Sequence, residues 1–290
     1  MKLATFTHNG STRIGLVEGD EMIDLSAAAP DLPTDMLSFL QAGDAAMVGA
    51  RAAQGASNSI PLKDVTLEAP VMNPGKVLAI GLNYMDHIEE TGADVPKHQM
   101  WFNKQTTAVN KPYGSFAMPK ASSALDYEAE MVFVIGKRCR HVPRERAHEV
   151  IAGYCVGNDV SVRDWQFHSQ TMQIGKSFDT HAPFGPWITT SDEVGDPHVL
   201  DIKCVVNGEV KQDSNTKNLV FDCFDQIAYI SQAFTLEPGD VLFTGTSGGV
   251  GVAMKPPVFL KTGDKVRIEM EKLGAIEHEV VAESGETVIG

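Results

Sequence analysis

Glu128 and Glu130 are the residues whose types and spacing most suggest chemistry. They stand in the stretch Leu125–Gly136, where carboxylates run into Met131-Val132-Phe133-Val134-Ile135 before a glycine. That apolar run is β-branched and aromatic and too short for a helix, so it reads as a buried strand. Side chains in a strand repeat with period two, which points Glu128 and Glu130 to one face. Two anions side by side at a buried segment are costly unless a positive charge sits between them. Oxygen-only ligands suit a hard divalent ion such as Mg²⁺, Ca²⁺ or Mn²⁺. The alternative is a solvated strand end with two surface glutamates. A second candidate pair is His87 and Glu90 in Leu82–Gly92. If Tyr84–Glu90 is helical, the two are at i, i+3 and can touch, and Gly92 and Pro96 end the helix at once. A short helix between such breakers could move as a lid, or it could be a surface helix that carries a histidine by chance. A third candidate, Gly245-Thr246-Ser247-Gly248-Gly249-Val250-Gly251, resembles a dinucleotide loop. Such a loop must open a helix, and Pro256-Pro257 follows too soon for one. It reads instead as backbone exposed at a strand end, suited to contacting a small ligand.

The elements that must position these residues are mostly strands. Lys2–Thr7, Arg13–Val17 and Glu21–Asp24 are separated by Asn9-Gly10-Ser11 and Glu18-Gly19-Asp20, both tight-turn signals. Two short helices follow, one starting near Thr34-Asp35 and ending at Gly43, the other over Ala45–Ala53. The small polar stretch from Gln54 to Ser59 looks like a linker. This predicts an accessory α+β domain over 1–70 and a catalytic domain over 71–290. In the latter, Lys76–Gly81 and Gly153–Val160 read as strands, the second with Asp159 at its end. Ser161 is placed to cap a helix that follows, and Asn218–Phe234 has helical apolar spacing. Val241–Thr244, Lys265–Met270 and Ile276–Val281 complete a β-rich C-terminal part. Without regular βα alternation, the expected class is α+β, mainly β, with a sandwich or rolled core.

The composition is that of an ordinary globular chain of 290 residues, and no apolar run approaches the ~18 residues that span a bilayer. A net charge of −14 argues against nucleic acid and anionic membranes as partners. Four scattered cysteines with no Cys-x-x-Cys motif, and an N-terminus without an apolar leader segment, predict a reducing, cytoplasmic location.

Seven pieces in order resemble the fumarylacetoacetate hydrolase family: Gly81-Leu-Asn-Tyr-x-x-His87, Asp126-Tyr-Glu128-Ala-Glu130, Gly153-Tyr-x-x-x-Asn-Asp159-Val-Ser, Arg163-Asp-x-Gln166, Gly175-Lys176-Ser-Phe-Asp, Val206-Asn-Gly and Thr244-Gly-Thr246. The likeness spans about residues 72–283 and is nearest to the bacterial 2,4-diketo-3-deoxy sugar-acid and acylpyruvate hydrolases. It implies that family's mixed β-sandwich roll, a homodimer, and one Mg²⁺ (or Mn²⁺ or Ca²⁺) held by Glu128, Glu130 and Asp159. It also implies a water-activating pair His87–Glu90, with Glu89 excluded by its different face. Lys176 would supply positive charge, and Asn83, Tyr84, Lys104, Gln166 and Thr246 would meet a small anionic 2-oxo acid. Where some relatives have an aspartate near Asn83, this chain has an amide, so three carboxylates are expected. Asn103 before the lysine, Ser247 after Thr-Gly-Thr, and His168–Gln173 depart from the family pattern and bear on substrate. The implied reaction is metal-dependent hydrolysis of a 2,4-diketo acid at its C–C bond to pyruvate and a carboxylic acid. The alternative is an oxaloacetate-type decarboxylase or a 2-oxo acid tautomerase on the same site. A non-catalytic scaffold would leave His87, Glu90 and Lys176 without a purpose.

Overall fold

A computed structural model describes residues 1–289. Its spine is the strand Ala129–Ile135, every residue of which is buried. It pairs antiparallel with Ile151–Asn158 on one side and with Val241–Thr246 on the other. Alternate residues feed two different cores. Met131, Phe133 and Ile135 join a cluster with Ile202, Ile268 and Ile276 of a second sheet and with Ile227 and Ile230 of a helix. Val132 and Val134 join a cluster with Phe39, Leu40 and Ala50 of the N-terminal helices. A strand covered on both faces is a continuous apolar run, which is how this stretch reads in the sequence. Burying its apolar side chains is worth about 1.5–3 kcal/mol each, on the order of 10 kcal/mol together. That exceeds the several kcal/mol charged to one buried carboxylate, so the strand holds Glu130 rigidly at its end.

The main sheet has 12 strands, and the second sheet five, in the order Glu209–Asn215, Asp201–Val206, Lys265–Met270, Gly274–Ala282, Tyr113–Met118. The fold is therefore mainly β and α+β as expected, with two stacked sheets that are open rather than rolled shut. The strand Lys2–His8 extends the main sheet by pairing Lys2 with Thr189 and Leu3 with Ile188. The Met1 amino group donates to Thr190 Oγ1 at 2.8 Å. Two helix expectations are corrected. Ser161 caps nothing: its hydroxyl donates to Asp159 O, and the helix Arg163–Gln166 starts without a side-chain cap. The helix expected over Asn218–Phe234 spans Cys223–Ala233, because Asp222 and Asp225 form a capping box there.

Candidate active site

Register brings the carboxylates together. Glu130 lies opposite Gly157 and Ala129 opposite Asn158, and the next residue, Asp159, donates its N–H to Glu128 O at 2.9 Å. One oxygen from each of Glu128, Glu130 and Asp159 falls within 4.8 Å of the others, and all three residues are buried. Cations surround them. Lys176 Nζ lies 2.6 Å from Glu128 Oε2 and 2.9 Å from Asp159 Oδ2. Lys104 Nζ pairs with the other oxygen of Asp159. Arg163 donates from Nη1 to Glu128 Oε1 at 2.6 Å and from Nε to Asp126 Oδ2 at 2.8 Å. Burial pushes the Glu128 carboxyl up, but Lys176 and Arg163 outweigh it and hold it at about 2. Burial lowers the Lys176 ammonium, and Asp159 with Glu128 reverses that and raises it. Glu130 differs. Among the described residues its side chain has one hydrogen bond, from Gly245 N–H at 2.7 Å, and no cation pairs with it. Burial, then Asp159 and Glu128, raise its carboxyl well above the usual range. Four carboxyl groups, counting Asp126, therefore face three cations, and Glu130 is the one without a cation of its own among the described residues. Three convergent carboxyl groups, one of them kept from ionising by its neighbours, fit a hard divalent ion, which would favour the ionised form of Glu130 and leave the cluster net positive toward an anion.

The short helix is Met85–Thr91, ended by Gly92 at φ 68°, the left-handed cap that glycine adopts without strain. His87 Nδ1 donates to Glu90 Oε1 at 2.7 Å, since a carboxylate only accepts. Glu90 Oε2 accepts from Gly249 N–H at 2.8 Å, so the ring's orienting partner is itself held. Among the described residues His87 Nε2 makes no hydrogen bond, and the ring stands in the wall of a cavity of about 360 Å³. Glu128, Arg163, Gln166, Lys176 and Thr246 also line it, as do the apolar side chains of Leu82, Met100, Phe102 and Met172. Apolar walls exclude water and strengthen every electrostatic contact inside.

Three residues expected to meet substrate lie behind that wall. Asn83 spends its amide on backbone, donating to Phe221 O and Thr244 O and accepting from Phe221 N–H. Tyr84 is fully buried, its hydroxyl without a partner. Lys104 is held by Asp159 and Val160 O. Thr246 reaches the cavity, though its hydroxyl donates to Ala129 O. Sequence reasoning passed over Arg163 and Asp126, although Arg163 opens the Arg-Asp-x-Gln stretch that carried part of the resemblance. The glycine loop is not free to greet a ligand. Gly245, Gly249, Gly251 and Val252 donate to Glu130, Glu90 and both oxygens of Asp126.

Residues 76–281 match the family described as Fumarylacetoacetate (FAA) hydrolase C-terminal. The chain belongs to the fumarylacetoacetate hydrolase family. Residues 1–70 match a second description, Rv2993c-like, N-terminal. A rat relative, Oxaloacetate tautomerase Fahd2a, mitochondrial (Rattus norvegicus), is 44% identical over 97% of this chain and 92% of its own length. The crystal structure of maleylpyruvate hydrolase from Sphingobium sp. SYK-6, in complex with manganese(II) ion and pyruvate, is 35% identical. It covers 98% of this chain and 100% of its own, with a TM-score of 0.78. The structure of 5-carboxymethyl-2-hydroxymuconate delta-isomerase from Mycobacterium smegmatis is 33% identical over 98% of this chain and 100% of its own, with a TM-score of 0.77. The mitochondrial relatives correct the cytoplasmic expectation. Scattered cysteines without a pairing motif carry no signal that tells one compartment from another.

Proposed function

We propose that this protein is a 2-oxo acid tautomerase that interconverts the enol and keto forms of oxaloacetate or a close analogue, with Mg²⁺ or Mn²⁺ held by Glu128, Glu130 and Asp159. The order of the two expectations from the sequence is thereby reversed, with hydrolysis of a 2,4-diketo acid second. The observation that carries the reading is the 44% identity, over 97% of this chain, to a relative named oxaloacetate tautomerase. The geometry is compatible with it, because tautomerisation needs a proton carrier and charge stabilisation and no activated water. The bound ion supplies Lewis-acid stabilisation of negative charge at the carbon 2 oxygen. His87 Nε2 takes the proton from carbon 3 of the keto form, while Glu90 keeps Nδ1 protonated and favours the imidazolium that results. The proton then returns to the oxygen at carbon 2, which completes the enol with no other bond broken. Lys176 lends positive charge to that oxygen. Arg163 lines the same cavity, and its guanidinium lends positive charge toward a substrate carboxylate.

The test follows the ultraviolet absorbance of enol-oxaloacetate with and without the metal-loaded protein, and assays pyruvate from acetylpyruvate and maleylpyruvate in parallel. The reading expects faster enol decay with little pyruvate. Rapid pyruvate release with enol decay at the uncatalysed rate would restore the hydrolase.

A further inference from the structure

Asp86 stands next to His87 and takes no part in the chemistry above, yet it makes four polar contacts. Its Oδ1 accepts from its neighbour His87 N–H at 2.8 Å and from Gly248 N–H at 3.1 Å. Its Oδ2 accepts from Ser214 Oγ at 2.5 Å and from Asn218 Nδ2 at 3.5 Å. Asn218 Nδ2 also donates to Ser214 Oγ at 3.1 Å. One carboxylate thus joins three separate pieces of chain: the His87 helix, the glycine loop, and the end of strand Glu209–Asn215 with the turn after it. The glycines make this approach possible. A Cβ on Gly248 would come within 3.3 Å of Asp86 O, and one on Gly249, at φ +104°, within 2.0 Å of Lys211 O.

We propose that Asp86 is a positioning residue that clamps the His87–Glu90 helix to the glycine loop and so sets where His87 Nε2 stands over the carboxylate centre. The same loop begins at Gly245, whose N–H holds Glu130, and passes through Gly249, whose N–H holds Glu90. Asp86 locks the helix onto that shared backbone at Gly248, between the two. Without it the helix hangs from Glu90 alone at this loop, and His87 loses its register to the ion. Misplacement on the scale of an ångström costs up to ~10²-fold in rate.

The experiment uses the full-length, Mn²⁺-loaded protein and three variants: Asp86→Ala, Asp86→Asn and Ser214→Ala. Amide hydrogen exchange is read in 84–92 and 245–252, Mn²⁺ affinity by titration, and kcat and KM for enol-oxaloacetate. In Asp86→Ala, exchange in both segments should speed up at least about tenfold. Its kcat should fall about 10–100-fold, with KM and Mn²⁺ affinity within about threefold of the parent. Asp86→Asn can still accept from Gly248 N–H and donate to Ser214 Oγ, so it should recover most of both. Ser214→Ala should move in the same direction by less, and with Asp86→Asn it carries the test if Asp86→Ala does not fold. Parent-like exchange in 245–252 in Asp86→Ala overturns the clamp, and so does Asp86→Asn as impaired as Asp86→Ala. The kcat arm rests on the tautomerase reading. If the parent does not accelerate enol decay, that reading fails, while the exchange arm still decides the clamp.

Discussion

The two halves of the site hold their carboxylates by different means. At the centre, Glu128 and Asp159 are buried immediately beside strand ends and neutralised by Lys176, Lys104 and Arg163. On the short helix, Glu90 keeps a side chain 25% exposed and is held by a backbone N–H and a histidine ring. Buried ion pairs are costly to assemble and costly to break, so the centre is a fixed field. Backbone N–H bonds at a half-exposed helix are worth about 0.5–1.5 kcal/mol each, so the helix can be displaced without unfolding the sheet. The difference implies that ion binding and proton transfer are separable by mutation.

The sharpest break of that division is Glu130→Gln. It removes the one carboxylate at the centre that has no cation partner, and should weaken Mn²⁺ or Mg²⁺ binding by roughly a hundredfold or more. Because the ion-free fold must take up a proton at Glu130, whose carboxyl is raised well above its usual range, a neutral amide removes that cost, and the ion-free variant should unfold at a higher denaturant concentration than the ion-free parent. Calorimetric titration and urea melts read the two effects. Parent-like affinity would place the ion elsewhere.

Next in size is His87→Ala. Loss of a general acid–base costs roughly 10²–10⁴ in rate, and ion affinity should stay within about twofold because the ring is no ligand. Full activity in this variant would move proton transfer to another group. A comparable loss of ion affinity would instead dissolve the distinction between the two halves.

Much of this division was legible in the chain and some was not. Period two placed Glu128 and Glu130 on one face, and i, i+3 spacing with Gly92 behind it placed Glu90 against His87. Both are local geometry, although Glu128 stands one residue before the strand Ala129–Ile135 that carries Glu130. The cations are not local. Lys104 and Lys176 lie 55 and 17 residues from Asp159, and only the tertiary fold brings the end of one strand and a distant turn to it. The glycine loop misled for a similar reason. Its composition announced exposed N–H groups, but their acceptors are carboxylates from 115 to 162 residues away. Asn83 and Tyr84 stand in a stretch that looks reactive, yet serve to pack the helix approach, since Val220 N–H donates to Asn83 O and Tyr84 bridges Leu219.

The smallest effect separates Glu90 from its neighbour. Glu90 has two acceptor oxygens in use, one for His87 Nδ1–H and one for Gly249 N–H. Glu90→Gln offers a single acceptor, so either the ring or the loop must face the amide's own N–H. If the amide oxygen stays on His87, the tautomer survives but the negative charge that favours the imidazolium is gone. If it turns to Gly249, the ring loses its orientation. Both routes lower kcat more than KM, because ground-state binding is untouched, and a loss of about tenfold is expected, smaller than for His87→Ala. Glu89 lies exposed on the same helix, at i, i+2 from His87 and so on a different face from the ring, and Glu89→Gln should be silent. Steady-state kinetics on the two single variants, with the ion saturating, makes the comparison. Equal losses in Glu89→Gln and Glu90→Gln would mean that helix charge, rather than the His87 contact, sets the rate. The proton-handling half of the site would then have no specific partner for its histidine.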